Sequence, residues 1–345
     1  MKVLCPECGS EAEVFGLRVR EEHVEGTCAL CAAELTITSG IGAPAVAYAA
    51  PVSPPPEMPG AADENPLIAQ IEALVRKDRL DLPVLPEIAL KLNEILRDPE
   101  APLSAAARLV EKEPVIAARV LRLANSSFYR GLKEIKSPAE AVSRLGTRTV
   151  QAVVMAVVTK RLINDFQGKI GSRILERLWE HALSSAVAAR EVARASRFGE
   201  VELAFTGGLL HNIGEVVLLR GIAEVASSAG TEFPETLTIE VLDRFHAPIG
   251  GKVLRAWRLP EPIPTIAEYH HEPEKAPENF ADSVAIVHLA DLICAKLRLG
   301  LAPTGDEDFW KIAAESAQRL GIGEVALAAT EVTIEDLRGE IQTIL

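Results

Sequence analysis

Apolar residues along most of this chain recur at three- and four-residue intervals, the period of a helix with one buried face. Leu85, Ile88, Leu92, Ile95 and Leu96 form one such stripe, which Asp98-Pro99 ends. Pro114 opens a second through Ile116, Val120, Leu121 and Leu123, closing at Asn125-Ser126-Ser127, where a local structural role is expected. Ser137-Pro138-Ala139-Glu140 has the form of a capping box: the hydroxyl accepts from the third helical N–H while the glutamate reaches back. That helix is expected to stop at Gly146, and 150–163, apolar nearly all round, reads as an interior helix. Trp179, Leu183, Ala186, Ala189 and Ala193 mark a further long helix, which carries His181. No alternating run within 67–345 is convincing as a strand, and no repeat of fixed period is found.

The first 66 residues have another character. Val14, Leu17 and Val19, then Leu35 and Ile37, suit short strands. Residues 39–66 hold Pro44, Pro51, Pro54, Pro55, Pro56, Pro59 and Pro66; seven prolines in 28 positions predict a partly extended linker with neither ladder nor helix. Ahead of it, Cys5 and Cys8, then Cys28 and Cys31, have the paired spacing of a tetrahedral four-thiolate zinc site. So short a segment buries little apolar surface, which makes the zinc structural and most of its folding energy. The predicted fold class is mainly all-α: a helical body preceded by a small β-type zinc ribbon.

Composition narrows the partners. With 345 residues, 48% hydrophobic and 25% charged, the chain has material for a sizeable core and is not wholly disordered. A net charge of −13 repels phosphate backbones and anionic lipid. The densest basic stretch, 133–148, is diluted by Glu134 and Glu140, and the cysteine-bearing head is itself net −4. Nucleic-acid and membrane partners are therefore not expected. The longest apolar run in a helical pattern, 152–158, falls far short of the roughly 20 residues of a membrane span. The first residues leave no room for the apolar core of a signal peptide, and the crowded cysteines suit metal binding in a reducing compartment, so the expected location is cytoplasmic.

The chemistry lies in the histidines. Five of the seven, with one aspartate, run in the order His181, His211, His246, His270-His271 and Asp291. Helices bring such scattered side chains together across a bundle core, a usual way to build a metal site. One histidine on an apolar face is more often a core residue; six candidate ligands in series are harder to dismiss. His288, three positions before Asp291, is either an outer partner on the same helix face or simply a helix residue near the pocket. Cys294, among Leu292, Ile293 and Leu297, reads as a small core residue.

The order of these ligands resembles that of the HD superfamily of metal-dependent phosphohydrolases, in particular its HD-GYP-like branch. Three earlier stretches resemble the HDOD domain, the HD-related output domain of bacterial signalling proteins: Leu82-Pro83-Val84-Leu85-Pro86, Leu121-Arg122-Leu123-Ala124-Asn125-Ser126-Ser127-Phe128-Tyr129, and Ser137-Pro138-Ala139-Glu140-Ala141-Val142-Ser143-Arg144-Leu145-Gly146. The likeness runs from about 78 to 295. It implies His181, His211 and Asp291 as ligands of one ion and His246, His270 and His271 as ligands of a second. Where active relatives bridge the two ions with an aspartate, this chain has Asn212. Where they have a cation it has Glu215, which places a negative charge there, and no Gly-Tyr-Pro follows His271. With Asp291 as the one matched carboxylate, two divalent ions would leave a charge of about +3 in a buried pocket, a large desolvation cost.

The resemblance, with these departures, implies a non-catalytic signal-transduction protein. Its degenerate pocket and helical surface would serve contact with protein partners and the sensing of a small-molecule or nucleotide ligand, and no catalytic residue is expected. The alternative is a metal-dependent phosphohydrolase with a mononuclear site, in which one divalent ion activates the attacking water. The expected domains are a ribbon over 1–38, the linker 39–66, an HDOD body over 67–300 and an acidic helical extension over 301–345. The body divides into lobes of about 67–168 and 170–300. The extension is net −6, with Ile312, Leu320, Val325 and Leu327 as its apolar anchors.

Overall fold

The computed structural model describes five strands within 2–49 and residues 66–344, apart from 78–79, 99, 127–128, 130–132, 166–169, 231–232 and 301–305. The chain divides into two compact units, Met1–Ala62 and Asp63–Leu345. In the first, β1 (Lys2–Leu4), β2 (Glu11–Val19), β3 (Val24–Cys28), β4 (Glu34–Thr38) and β5 (Val46–Ala49) form an antiparallel sheet in that spatial order. The alternating stretches expected as strands fall on β2 and β4. The linker expectation needs correcting at β5, which pairs with β4 from Leu35 opposite Ala49 to Thr38 opposite Val46. Its four residues lie in a proline-free window between Pro44 and Pro51, and Val46 and Tyr48 favour a strand. Cys28 closes β3, while Cys5, Cys8 and Cys31, and with them the expected zinc site, lie outside the described residues.

The second unit is helical wherever it is described as regular. Its first half contains α1 (Pro66–Arg76), α2 (Glu87–Arg97), α3 (Leu103–Glu111), α4 (Pro114–Asn125) and α5 (Pro138–Asn164). Ser137 caps α5 as expected, its Oγ accepting from the Glu140 N–H at 3.2 Å, but Glu140 reaches the N–H of Lys136 rather than that of the cap. At Gly146 the backbone turns to φ 77°, so α5 is two helical segments joined at a residue in the left-handed region. Asn125 explains its own motif: its amide donates to the Ile135 carbonyl at 2.9 Å and accepts from the Ile135 N–H at 2.8 Å. This two-way bond, with Arg144 donating to the carbonyls of Ala124 and Lys133, staples the loop between α4 and α5.

The second half holds α6 (Ser172–Ala195), α7 (Val201–Leu210), α8 (Ile213–Ala229), α9 (Glu235–Ala256), α10 (Pro262–Tyr269) and α11 (Ala281–Lys296). A buried polar chain fastens the two halves. The Trp257 indole donates to the Pro83 carbonyl at 2.7 Å, and Gln151 donates to Asn93, whose amide reaches the Trp257 carbonyl. Ala188, Ala189, Val192 and Ala193 of α6 share a core with Val284, Ile286, Val287 and Leu289 of α11.

The extension, α12 (Asp306–Leu320) and α13 (Glu324–Ile344), belongs to that same core. Its buried face is Phe309, Ala313 and Ala317, continued by Ile322, Leu327 and Ile334. Leu327 was rightly expected as an anchor and Leu320 is half-buried against the cluster. Ile312 and Val325 are 46% and 85% exposed, which corrects the other two anchors: the buried side runs through Phe309 at four-residue steps, and Ile312 lies off that line. Lys296 with Glu331, and Arg319 with Glu278 and Asp282, tie the rim.

α8 begins so near α9 that a Cβ on Gly214 would stand 2.0 Å from the His246 carbonyl oxygen. Gly214→Ala should therefore cost roughly 3 kcal/mol or more in urea unfolding, beyond ordinary overpacking, because backbone must move. Gly199→Ala, with open space around it, should change stability by less than about 0.5 kcal/mol. Equal effects at the two positions would contradict the helix contact.

Candidate metal centre

Each candidate ligand is delivered by a different part of the helical unit. His181 projects from the middle of α6, His211 follows the last residue of α7 at the corner into α8, and His246 lies midway along α9. His270 and His271 follow α10, and Asp291 is on α11. The structure brings all six together as two triads, His181–His211–Asp291 and His246–His270–His271, each with its ligand atoms within 4.8 Å of one another. The triads adjoin: the His211 and His270 ring centres are 4.8 Å apart. His271 sits at the exposed rim, whereas the other four histidines are buried.

Hydrogen bonds on the far side of the rings set the tautomers. His181 Nδ1 lies 2.6 Å from the Leu299 carbonyl, His211 Nδ1 2.7 Å from that of Gly208, His246 Nδ1 2.7 Å from that of Leu242, and His270 Nδ1 3.0 Å from that of Ala267. A carbonyl oxygen only accepts, so each Nδ1 carries the hydrogen and, in the neutral ring, each Nε2 presents a lone pair. Two pairs of these Nε2 atoms face each other, His246 with His270 at 3.2 Å and His181 with His211 at 3.2 Å, while His271 Nε2 lies 3.1 Å from that of His246. Opposed, buried acceptors cost about 1–3 kcal/mol each unless a proton or a cation lies between them.

Burial disfavours protonation of His246 and His270 in the second triad. Burial, then the charge of His271, pulls His246 down to about 3, and burial with the neighbouring imidazoles holds His270 well below the usual histidine range. In the first triad burial also disfavours charge. There the hydrogen bond and charge of Asp291, whose Oδ1 is 3.1 Å from His181 Nε2 and 3.6 Å from His211 Nε2, outweigh it for His181 and leave His211 lowered. Asp291 stays ionised against its own burial because both imidazoles hold it. Imidazole nitrogens with one carboxylate, four of the rings held from behind by backbone carbonyls, fit a divalent ion of the zinc or manganese kind.

Asn212 follows His211 in the chain, and its Oδ1 is buried without a hydrogen-bond partner among the described residues. Glu215, on the first turn of α8, is buried within electrostatic reach of His181 and Asp291. The negative charge expected at 215 is not present at neutral pH: burial pushes this carboxyl up to about 8, so it keeps its proton. Cys294 is a core residue as expected, its thiol pushed up to about 12 by burial. Sequence reasoning passed over the four carbonyls behind the rings. For His211, His246 and His270 they lie three or four residues upstream, a spacing legible in any helix; Leu299 serves His181 from 118 residues away and leaves no sequence signal.

Comparison with known proteins bears on the fold that carries these residues. Residues 82–273 match the HDOD domain family, a span that takes in every histidine of the centre but stops short of Asp291. An uncharacterized protein of Treponema pallidum (strain Nichols) is 28% identical over 226 residues, 62% of this chain and 42% of that protein, so the chain spans less than half of that relative. A crystal structure of an HDOD domain protein with unknown function from Geobacter sulfurreducens is similar with a TM-score of 0.61 and 25% identity, over 81% of this chain and 98% of that one. A proposed metal-dependent phosphohydrolase from Shewanella amazonensis SB2B shares the fold, with a TM-score of 0.61 and 20% identity over 79% and 98%. Among the described residues no helix is long and apolar enough to cross a membrane.

Glu215 yields a pH test. A group whose folded pKa is raised stabilises fully below its unfolded value, here 4.5, and loses that contribution as pH rises through about 8. The thermal midpoint of Glu215→Gln minus that of the wild type should therefore grow across that window. A difference flat with pH would contradict the buried, protonated carboxyl.

Proposed function

The chain belongs to the HDOD domain family, and from that premise we propose that it is a signal-transduction module whose HD-like pocket holds a divalent ion without hydrolysing a phosphate ester. One observation carries this reading. Six ligand side chains converge, yet the residue after His211, where the resemblance implies a bridging aspartate, is Asn212, a neutral amide whose buried oxygen has no partner among the described residues. A carboxylate there would hold two cations by charge as well as by lone pairs; an amide supplies one weak oxygen. Asp291 is then the sole ionised carboxylate among these ligands at neutral pH, enough for one ion and too little for two.

The same reading takes the four cysteines as a structural zinc site, supported by their paired spacing, and a protein as the downstream partner. A small molecule or nucleotide would enter beside His271, the exposed ligand. A net charge of −13 supports neither nucleic acid nor membrane as partner. The convergence of both triads favours one alternative, a mononuclear phosphohydrolase, in which His181, His211 and Asp291 hold the ion and the ion supplies Lewis acidity.

Elemental analysis and turnover assays on the full chain separate the two. His211→Ala should remove about one equivalent of metal and leave the cysteine-bound zinc. The wild type should turn over neither cyclic dinucleotides nor nucleotide phosphates in excess Mn²⁺. Asn212→Asp should raise metal content. Robust turnover that His211→Ala abolishes would establish the enzymatic reading instead.

A further inference from the structure

His288 is absorbed by neither triad, yet it touches the frame of one and shares a helix with the other. It lies on α11 three residues before Asp291, is 4% exposed, and its Nδ1 stands 2.7 Å from the carbonyl oxygen of His270. Since a carbonyl only accepts, the imidazole is the donor. The accepting group belongs to the peptide linking His270 to His271, just past the end of α10, where carbonyls have no helical N–H to receive. That peptide is the backbone from which both neighbouring ligands project. α11 thus supplies Asp291 to one triad directly and fixes the backbone of the other through His288.

We propose that His288 is the positioning residue of the His246–His270–His271 triad, holding the 270–271 peptide so that both imidazoles face His246. The inference rests on the reading that the pocket takes an ion. It adds a residue outside the ligand set, on α11, which lies wholly beyond the family match. Outer partners that orient ligands typically contribute 10- to 100-fold to metal affinity.

Two variants of equal size isolate the hydrogen bond from the packing. In His288→Asn the side-chain amide replaces Nδ1 as donor; in His288→Leu the volume remains and the donor is gone. Co²⁺ titrated into the full chain gives imidazole-type ligand-field bands, distinct from the charge-transfer band of thiolate-bound cobalt. The Asn variant should bind close to wild type, and the Leu variant about 10- to 100-fold more weakly, with unchanged circular dichroism. Equal affinity of the Leu variant and wild type would overturn the positioning role. Absence of the imidazole-type bands from the wild type would overturn ion binding itself and the role with it. Should the Leu variant fail to fold, ¹⁵N NMR of the unmodified protein still decides: His288 must carry its hydrogen on Nδ1, and the opposite tautomer refutes the bond.

Discussion

The backbone contacts on either side of His211 set the geometry on which the rest of the helical unit depends. A Cβ at Gly208 would lie 2.5 Å from the Ser185 carbonyl of α6, and one at Gly214 would lie 2.0 Å from the His246 carbonyl of α9. Helices packed through ordinary side chains keep their axes about 8–10 Å apart. Closer approach at these two points shortens the distance that imidazoles from α6, the α7–α8 corner and α9 must span to meet. Gly208 does this twice over, since its carbonyl also receives the His211 Nδ1–H. Close approach and tautomer are thus set by neighbouring atoms of one residue.

Burial then decides the chemistry. A solvated histidine divides its time between charged and neutral forms near neutral pH, and a proton competes with any metal for its lone pair. Here the desolvation that pulls His246 down to about 3 removes that competitor. Desolvation acts in the opposite sense on Glu215, which keeps its proton until about 8. The pocket at neutral pH is therefore rich in lone pairs and poor in negative charge, with Asp291 ionised because two imidazoles hold it. An arriving cation would favour the ionised form of Glu215 and recover part of the charge that Asn212 does not supply.

Helix phase and caps were legible in the sequence because they are local. The stripe from Leu85 and the cap at Ser137 depend on neighbours within four residues, and Gly146 interrupts α5 where a left-handed residue was needed. The six ligands were legible as an order and a resemblance, and their division into two triads has its counterpart in the geometry. What stayed hidden was long-range or energetic. Ile312 was chosen for its size, though the buried face of α12 follows Phe309 and Ala313. The state of Glu215 depends on desolvation by elements far along the chain, and the acceptor of His181 on a turn after α11. β5 was missed because the prolines around it governed the reading of four residues free of them.

In the stretches that resemble HDOD most closely, the described hydrogen bonds are structural ones. Asn125 staples the loop after α4, Ser137 caps α5, and the Pro83 carbonyl receives the indole of Trp257 at the end of α9. These attachments hold a conformation and carry no acid, base or ligand. Yet α9 is common to both systems, with His246 in its middle and Trp257 closing it. At 1.5 Å per residue the eleven steps from one to the other span about 16 Å along the helix. The first half of the unit grips that helix through Pro83, Asn93 and, by way of Asn93, Gln151. An ion that draws His246 toward His270 would therefore act on the same helix that the first half of the unit holds. That is an arrangement suited to reporting occupancy of the pocket, which hydrolysis alone would not require.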